Sequence, residues 1–247
     1  MLHAHLTFAG LLLIALLPHL AVARGSVSPN QLLHRGRNSL KNEYWILRHG
    51  QSEANVAKLI ASSPTIATQK YGLSEVGKEQ AAKAGDDLIK IVQGSKKPIL
   101  LLASDLLRAK ETAEIVRDKL EEAGVPLYEL NDLQWKKGLV IETRLRERWF
   151  GEWDETADTN YPNVWKDDAV DPDHTFKGVE SVSKVMERTT QCIAEWDDKV
   201  EQCVIVCVAH GDVLQILQTA FCKMDGSKHR TMEHLETAKL RQLELRD

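Results

Sequence analysis

Two arginines and two histidines occupy matching places in this chain. Arg48-His49 follows an apolar run over 44–47. Arg108 comes just after Ser104-Asp105, which close an apolar run over 98–103. His210 closes a third apolar run over 203–209. Arginine is permanently charged and presents a planar fork of donors that suits phosphate oxygens. A neutral imidazole nitrogen can attack phosphorus and carry the phosphoryl group. A second imidazole can donate to the same oxygens as charge builds, and a carboxylic acid must then hand a proton to the leaving oxygen. With two arginines and a histidine to neutralise the phosphoryl group, this chemistry calls for no metal and no other cofactor. The chain carries neither a Gly-rich P-loop nor the Cys/His spacing of a zinc site.

Those residues act together only if their elements bring them together. The runs over 44–47, 98–103 and 203–209 lack polar alternation, the pattern of strands buried on both faces. Between them the spacing predicts helices over 75–92 (Ser74 as cap, Gly94 beyond), 107–122 (stopped by Gly124 and Pro126), 179–200 and 213–221. Further strands are expected at 127–130 and 235–245. Apolar strands alternating with amphipathic helices imply a mostly parallel sheet covered on both faces. Ligands of such sheets bind outside the carboxyl ends of the strands, where Arg48, His49, Arg108 and His210 would share one edge. Residues 43–247 read as one domain with an insertion near 150–175.

Longer motifs surround these residues. Leu47-Arg48-His49-Gly50-Gln51-Ser52-Glu53-Ala54-Asn55 resembles the N-terminal signature of the histidine phosphatase superfamily, the phosphoglycerate-mutase-like proteins (branch 1). In order, 73–81, 103–113, 145–153, Gly178-Val179-Glu180-Ser181 and Val208-Ala209-His210-Gly211 resemble its following helix start, second phosphate-binding element, acid-bearing loop, Gly-Glu-Ser turn and second histidine motif. The resemblance implies a three-layer α/β/α sandwich with a mostly parallel central sheet. It implies a metal-independent phosphatase that hydrolyses phosphate monoesters through a phosphohistidine. It makes His49 the nucleophile, and Arg48, Arg108 and His210 its phosphate pocket. Asn55 would also contact the phosphoryl group, and Glu147 would be the proton donor. The competing reading of Glu147 is an ion pair with Arg144, Arg146 or Arg148, with Glu142 and Glu152 as rival acids. For Arg108 it is a helix-surface pair with Glu111 or Glu114, and for Asn55 a helix-start polar residue. His3, His5, His19, His34, His174, His229 and His234 lack companion motifs and read as incidental. The neighbouring arginines should lower the His49 pKa, and burial or phosphate charge should raise that of Glu147.

Composition sets the bounds. The chain has 247 residues, 43% hydrophobic and 28% charged, with 14 Gly and 7 Pro, which excludes disordered and collagen-like chains. The first 42 residues hold four of the 32 basic residues and no acid, so the formal charge of -4 hides 28 basic against 36 acidic residues in 43–247, a net of -8. Nothing global points to a nucleic-acid partner. A small phosphorylated molecule or a phosphoprotein is the expected substrate. Residues 1–23 read as a secretory signal peptide, with an apolar stretch over 6–23 and Ala21-Val22-Ala23 as the cleavage site. A retained membrane anchor and an organelle transit peptide are the alternatives. Residues 24–42 read as a flexible lead-in. Cys203 and Cys207 would share a strand face as buried thiols.

Mutase and non-catalytic binder remain alternatives on the same motifs. Between 150 and 178 eight acids oppose only Lys166 and Lys177, an acidic rim that disfavours bisphosphoglycerate-dependent mutases and polyphosphates, or else a solvated loop. Trp149, Phe150, Trp153, Tyr161 and Trp165 are five of the 14 aromatic residues, expected to line a substrate pocket or form a core patch.

Overall fold

Four apolar segments and the mixed stretch Leu240-Arg241-Gln242-Leu243 pair into one sheet, the apolar ones because they can bury side chains on two faces. The computed structural model describes residues 40–129 and 136–246, together with Leu33. The strands are β1 (Glu43–Arg48), β2 (Ile99–Ala103), β3 (Leu139–Ile141), β4 (Val204–Ala209) and β5 (Leu240–Leu243). Their order is β3-β2-β4-β1-β5. All pairings are parallel except β1 with β5. The helices are α1 (Glu53–Ala57), α2 (Pro64–Ala67), α3 (Glu75–Ile91), α4 (Leu107–Glu122), α5 (Tyr161–Asp168), α6 (Val182–Lys199) and α7 (Gly211–Phe221).

Strand side chains alternate between two cores. Ile205 and Cys207 of β4 join the core under α6 and α7, and Val204, Val206 and Val208 join the core under α3 and α4. This is the expected three-layer α/β/α arrangement. Cys203 and Cys207 lie in the same core layer, and both are buried free thiols. Ser74 caps α3 by accepting from the Gly77 N–H, and Ser181 caps α6 by accepting from that of Lys184.

Three expectations change. Leu127 makes only an isolated bridge to Ile99, and the third strand is β3 instead; Leu130 lies outside the described residues. The final strand shortens from 235–245 to β5. The lead-in is docked where it is described. The Lys41 N–H and the Asn42 amide donate to Asp197 Oδ1 at 3.1 and 3.0 Å, and Leu33 is buried in the α6/α7 core. The leader expected over 1–23 and His3, His5, His19 and His34 lie outside the described residues.

Register positions the site. Arg48 pairs with Ala209, and Ala103 with both Val208 and Ile141. The residues following β1, β2 and β4 therefore leave the sheet at one level. Gly50 and Gly77 permit the next step. A Cβ on Gly77 would collide with the Gln51 carbonyl oxygen and one on Gly50 with that of Gly77, so the start of α3 abuts the turn after His49 backbone to backbone.

Candidate active site

His49 leaves β1 with its backbone N–H bonded to the Ala209 carbonyl at 3.0 Å, so β1 and β4 together fix its position. The Gly50 N–H bonds Thr112 Oγ1 at 3.1 Å, tying the turn to α4. The buried imidazole places Nδ1 2.7 Å from the Gly50 carbonyl, an acceptor only, so Nδ1 carries the proton. Arg108 Nε–H donates to His49 Nε2 at 3.1 Å, which requires a lone pair there. Burial, then the Arg108 and Arg48 charges, hold His49 well below the usual imidazole range, as expected. The result is a neutral imidazole with its basic nitrogen turned toward the Arg108 guanidinium.

Arg108 is buried in the first turn of α4. Its Nη2 donates to the Ala61 carbonyl at 2.9 Å. The surface-pair reading fails: Glu111 accepts from the Leu73 N–H at 2.6 Å, and Glu114 pairs with Lys136. Arg48 is anchored through Nη1 to the Leu235 carbonyl and His234 Nε2, both at 3.1 Å. His210 is fully buried, its ring centroid 5.2 Å from that of His49. Ser104 Oγ accepts from the Leu106 N–H and lies 2.9 Å from His210 Nε2, so it fixes the ring through that nitrogen and leaves Nδ1 free for the pocket. Burial, then Arg108, lowers the His210 pKa well below its usual value. Arg48 Nε, Arg108 Nη1 and His210 Nδ1 are buried nitrogens without a hydrogen-bond partner among the described residues. Such atoms are costly to bury, and an oxyanion beside His49 would satisfy them.

Asn55 lies on α1 and lines the same small pocket as Arg48, His49, Arg108 and Glu147. Its Oδ1 accepts from the Ser52 N–H and hydroxyl, both at 3.0 Å. It therefore closes the helix start and faces the pocket at once.

Glu147 is half-buried. None of the neighbouring arginines takes its carboxylate among the described residues. Arg144 pairs with Glu142 and Glu195, Arg146 with Asp105, and Arg148 with Asp168. Glu147 Oε1 accepts only from the Arg148 N–H, at 2.9 Å. Burial, then the Asp212 charge, pushes its carboxyl up to about 7, against Arg108, Arg48 and that N–H. Rival Glu142 is committed to Arg144 and the Trp196 indole N–H, and Glu152 is exposed.

The acid loop is held from below. The fully buried Arg148 guanidinium makes two bonds to Asp168, at 2.6 and 2.7 Å, and its Nε donates to the Glu180 carbonyl. His174 Nε2 lies 2.7 Å from Asp168, and His229 Nε2 lies 3.7 Å from both Asp168 and Asp212. Asp212 accepts from the Trp165 indole at 2.9 Å. The reading of His174, His229 and His234 as incidental is thus corrected: His174 bonds Asp168, His229 is buried beside Asp168 and Asp212, and His234 holds Arg48. Asp212, two residues past His210, was legible as a helix-start acid. The histidines were not, because their partners are set by the tertiary fold.

The aromatic run is mostly a core patch. Phe150 is buried, with Tyr161 edge-on to it and Trp165 stacked on Tyr161. Tyr161 reaches the small pocket, and Trp149 is exposed. The acidic rim is also corrected in part. Asp154 accepts from the Ser62 and Ser63 backbone N–H groups, and Asp168 is buried under Arg148, so those two carboxylates face inward.

The model of the histidine phosphatase superfamily (branch 1) matches residues 44–247. The chain belongs to that family. It is similar to the glucosyl-3-phosphoglycerate phosphatase of Mycobacterium tuberculosis, 32% identical over 197 residues that cover 72% of this chain and 74% of the relative. A 2,3-bisphosphoglycerate-dependent phosphoglycerate mutase of an Arthrobacter species is 26% identical over 193 residues, 70% of this chain and 74% of that one. A solved structure of a mycobacterial glucosyl-3-phosphoglycerate phosphatase with VO3 superposes with a TM-score of 0.60 at 26% identity, covering 81% of this chain and 92% of that one. As a histidine phosphatase, the chain is an enzyme acting on a phosphorylated substrate.

Proposed function

We propose that this histidine phosphatase removes phosphate from small organic monoesters with its own side chains as the only catalysts. One observation carries the reading: His49 Nε2 is unprotonated, faces Arg108, and shares a pocket wall with a carboxyl raised to about 7. The ester's phosphoryl oxygens take the donors of Arg48, Arg108 and His210, with Asn55 at the rim. A phosphoryl oxygen displaces Arg108 Nε–H from His49 Nε2, and that lone pair attacks phosphorus. The P–O bond to the alcohol breaks, and Glu147 gives the leaving oxygen its proton. The Glu147 carboxylate then takes a proton from water as that water attacks phosphohistidine, releasing inorganic phosphate and restoring both groups.

The test is phosphate release by the purified full chain from a monoester panel in EDTA, with glucosyl-3-phosphoglycerate, the compound named for the mycobacterial relatives, among them. Release from at least one ester in EDTA is expected. No release, or release abolished by EDTA, contradicts the reading. Interconversion of monophosphoglycerates primed by 2,3-bisphosphoglycerate, without net hydrolysis, would make it a mutase.

We also propose that residues 1–23 direct the chain into the secretory route, supported by the apolar stretch and the Ala21-Val22-Ala23 site. A mature N-terminus at Arg24 in the natural protein is the expected result. An intact leader would indicate a retained anchor, and removal further along, near residue 40, an organelle transit peptide.

A further inference from the structure

The insertion over 150–175 reaches back over the phosphate pocket. The Ile60 N–H donates to the Thr156 carbonyl at 2.9 Å, the Glu155 N–H to the Ile60 carbonyl at 2.8 Å, and the Asp158 N–H to the Lys58 carbonyl at 2.8 Å. These bonds pin it to the chain over 58–61, where Leu59 and Ala61 form part of the pocket wall. Tyr161, at the start of α5, follows directly and lines the same pocket as Arg48, His49, Arg108 and Glu147. Glu147 also borders a wider cleft of about 550 Å³, built from residues within 62–64, 143–149 and 175–188. Tyr161 belongs to the enclosed side, where the proposed mechanism puts the phosphoryl group.

The Tyr161 ring is held on two sides. It meets Phe150 edge-on, with centroids 4.9 Å apart, and Trp165 stacks on it at 5.3 Å with the planes 5° apart. Trp165 is itself fixed, because its indole N–H donates to Asp212 Oδ1 and the Arg230 guanidinium lies 3.6 Å over its ring. Two residues of the pocket wall carry a hydroxyl, and that of Ser52 is committed to Asn55, at 3.0 and 3.2 Å. The Tyr161 hydroxyl makes no hydrogen bond among the described residues. Burial, then the Glu147 charge, pushes the phenol above its usual range, so it keeps its proton and remains a donor.

We propose that Tyr161 is a further catalytic residue, whose hydroxyl donates to a phosphoryl oxygen while phosphorus passes between the leaving oxygen and His49 Nε2. This rests on the proposed phosphatase reading and adds a donor to the same site. In such a transfer charge spreads over the three equatorial oxygens. A neutral donor already in place in a closed pocket stabilises that charge without reorganising. The insertion then has a chemical role: it delivers one donor, and its other rings hold that donor at the pocket.

The experiment is Tyr161→Phe in the full chain, which removes the hydroxyl and keeps the ring contacts. Phosphohistidine formation, read in single turnovers, should slow about 10–100-fold, the scale of a hydrogen bond to a charged group. The loss should be equal from glycerol 3-phosphate and from p-nitrophenyl phosphate, because the phosphoryl group is common to both. Inhibition by orthovanadate, which adopts the five-coordinate geometry of phosphorus in transfer, should weaken at least about tenfold, and inhibition by inorganic phosphate less. Tm should stay at the wild-type value, since no protein group loses a partner. An unchanged rate, a loss confined to the alkyl ester, or equal weakening of both anions with a lowered Tm overturns the proposal. If the wild type hydrolyses the esters and the variant matches it, the phosphatase reading stands alone. If the wild type hydrolyses no ester, both fall together.

Discussion

Replacing Glu147 by Gln separates two consequences of one half-buried acid. The first is chemical. An alkoxide is a poor leaving group without a proton, whereas nitrophenolate departs as a stable anion. Glu147→Gln should therefore slow formation of phosphohistidine, read in single turnovers, by about 10²–10⁴-fold from alkyl phosphates, the usual range for a lost general acid, and by no more than about tenfold from p-nitrophenyl phosphate. The second consequence is stability. Burial and Asp212 raise the carboxyl from 4.5 to about 7. That rise corresponds to about 3 kcal/mol of cost for carrying the charge in the fold, reduced to about 2 kcal/mol by solvent reaching the carboxylate from the cleft. Below pH 4.5 the group is neutral in folded and unfolded chains, and the cost is absent. Between 4.5 and 7 the unfolded chain gives up the proton first, and above about 7 the full cost is present. Relative to wild type, the Gln variant should gain about 2 kcal/mol between pH 4 and pH 8, or about 4–8 °C in Tm for a chain of this size. Urea and thermal unfolding of both proteins at the two pH values measure it. An equal stability difference at both pH values, together with equal losses in the rate of phosphohistidine formation from both ester types, would refute the assignment of Glu147 as the proton donor.

Three further outcomes are expected. Asp168→Ala leaves the fully buried Arg148 guanidinium without its bidentate partner and should cost about 3–5 kcal/mol in urea unfolding; a loss below about 1 kcal/mol would mean that the network contributes little. Arg108→Gln removes the charge that, after burial, most lowers the His49 pKa. The His49 titration followed by NMR should move up toward the usual imidazole range, and an unmoved midpoint would exclude that coupling. Gly77→Ala forces a Cβ onto the Gln51 carbonyl and should cost about 1–3 kcal/mol while lowering kcat/KM; an active, fully stable variant would show that the turn after His49 tolerates displacement.

The parts of the site that follow long apolar strands were legible in the sequence. Arg48, His49 and His210 sit at strand ends because 44–47 and 203–209 can only be buried on both faces, and the parallel register then brings them level. Arg108 was legible from its place after β2, and Glu147 from the motif around it. What failed did so for physical reasons. The three residues of β3 carry too short a pattern to signal a strand, and the stretch over 127–130 looked stronger, but Leu127 gains one isolated bridge among the described residues. Helix α5 has Pro162 near its start and spans only 161–168, so its stripe of Tyr161, Val164 and Trp165 is too short to signal a helix. The supports of the acid loop were hidden by distance. His229 meets Asp168 and Asp212, and Arg48 meets His234 and Leu235, across intervals that no local spacing encodes.

The central claim is that His49 carries the phosphoryl group. Rapid quenching of the full chain with a radiolabelled ester, followed by peptide mapping, tests it directly. An acid-labile, alkali-stable label on His49, absent from His49→Ala together with all turnover, is the expected result. Turnover that persists in His49→Ala, or label found on another residue, would contradict it.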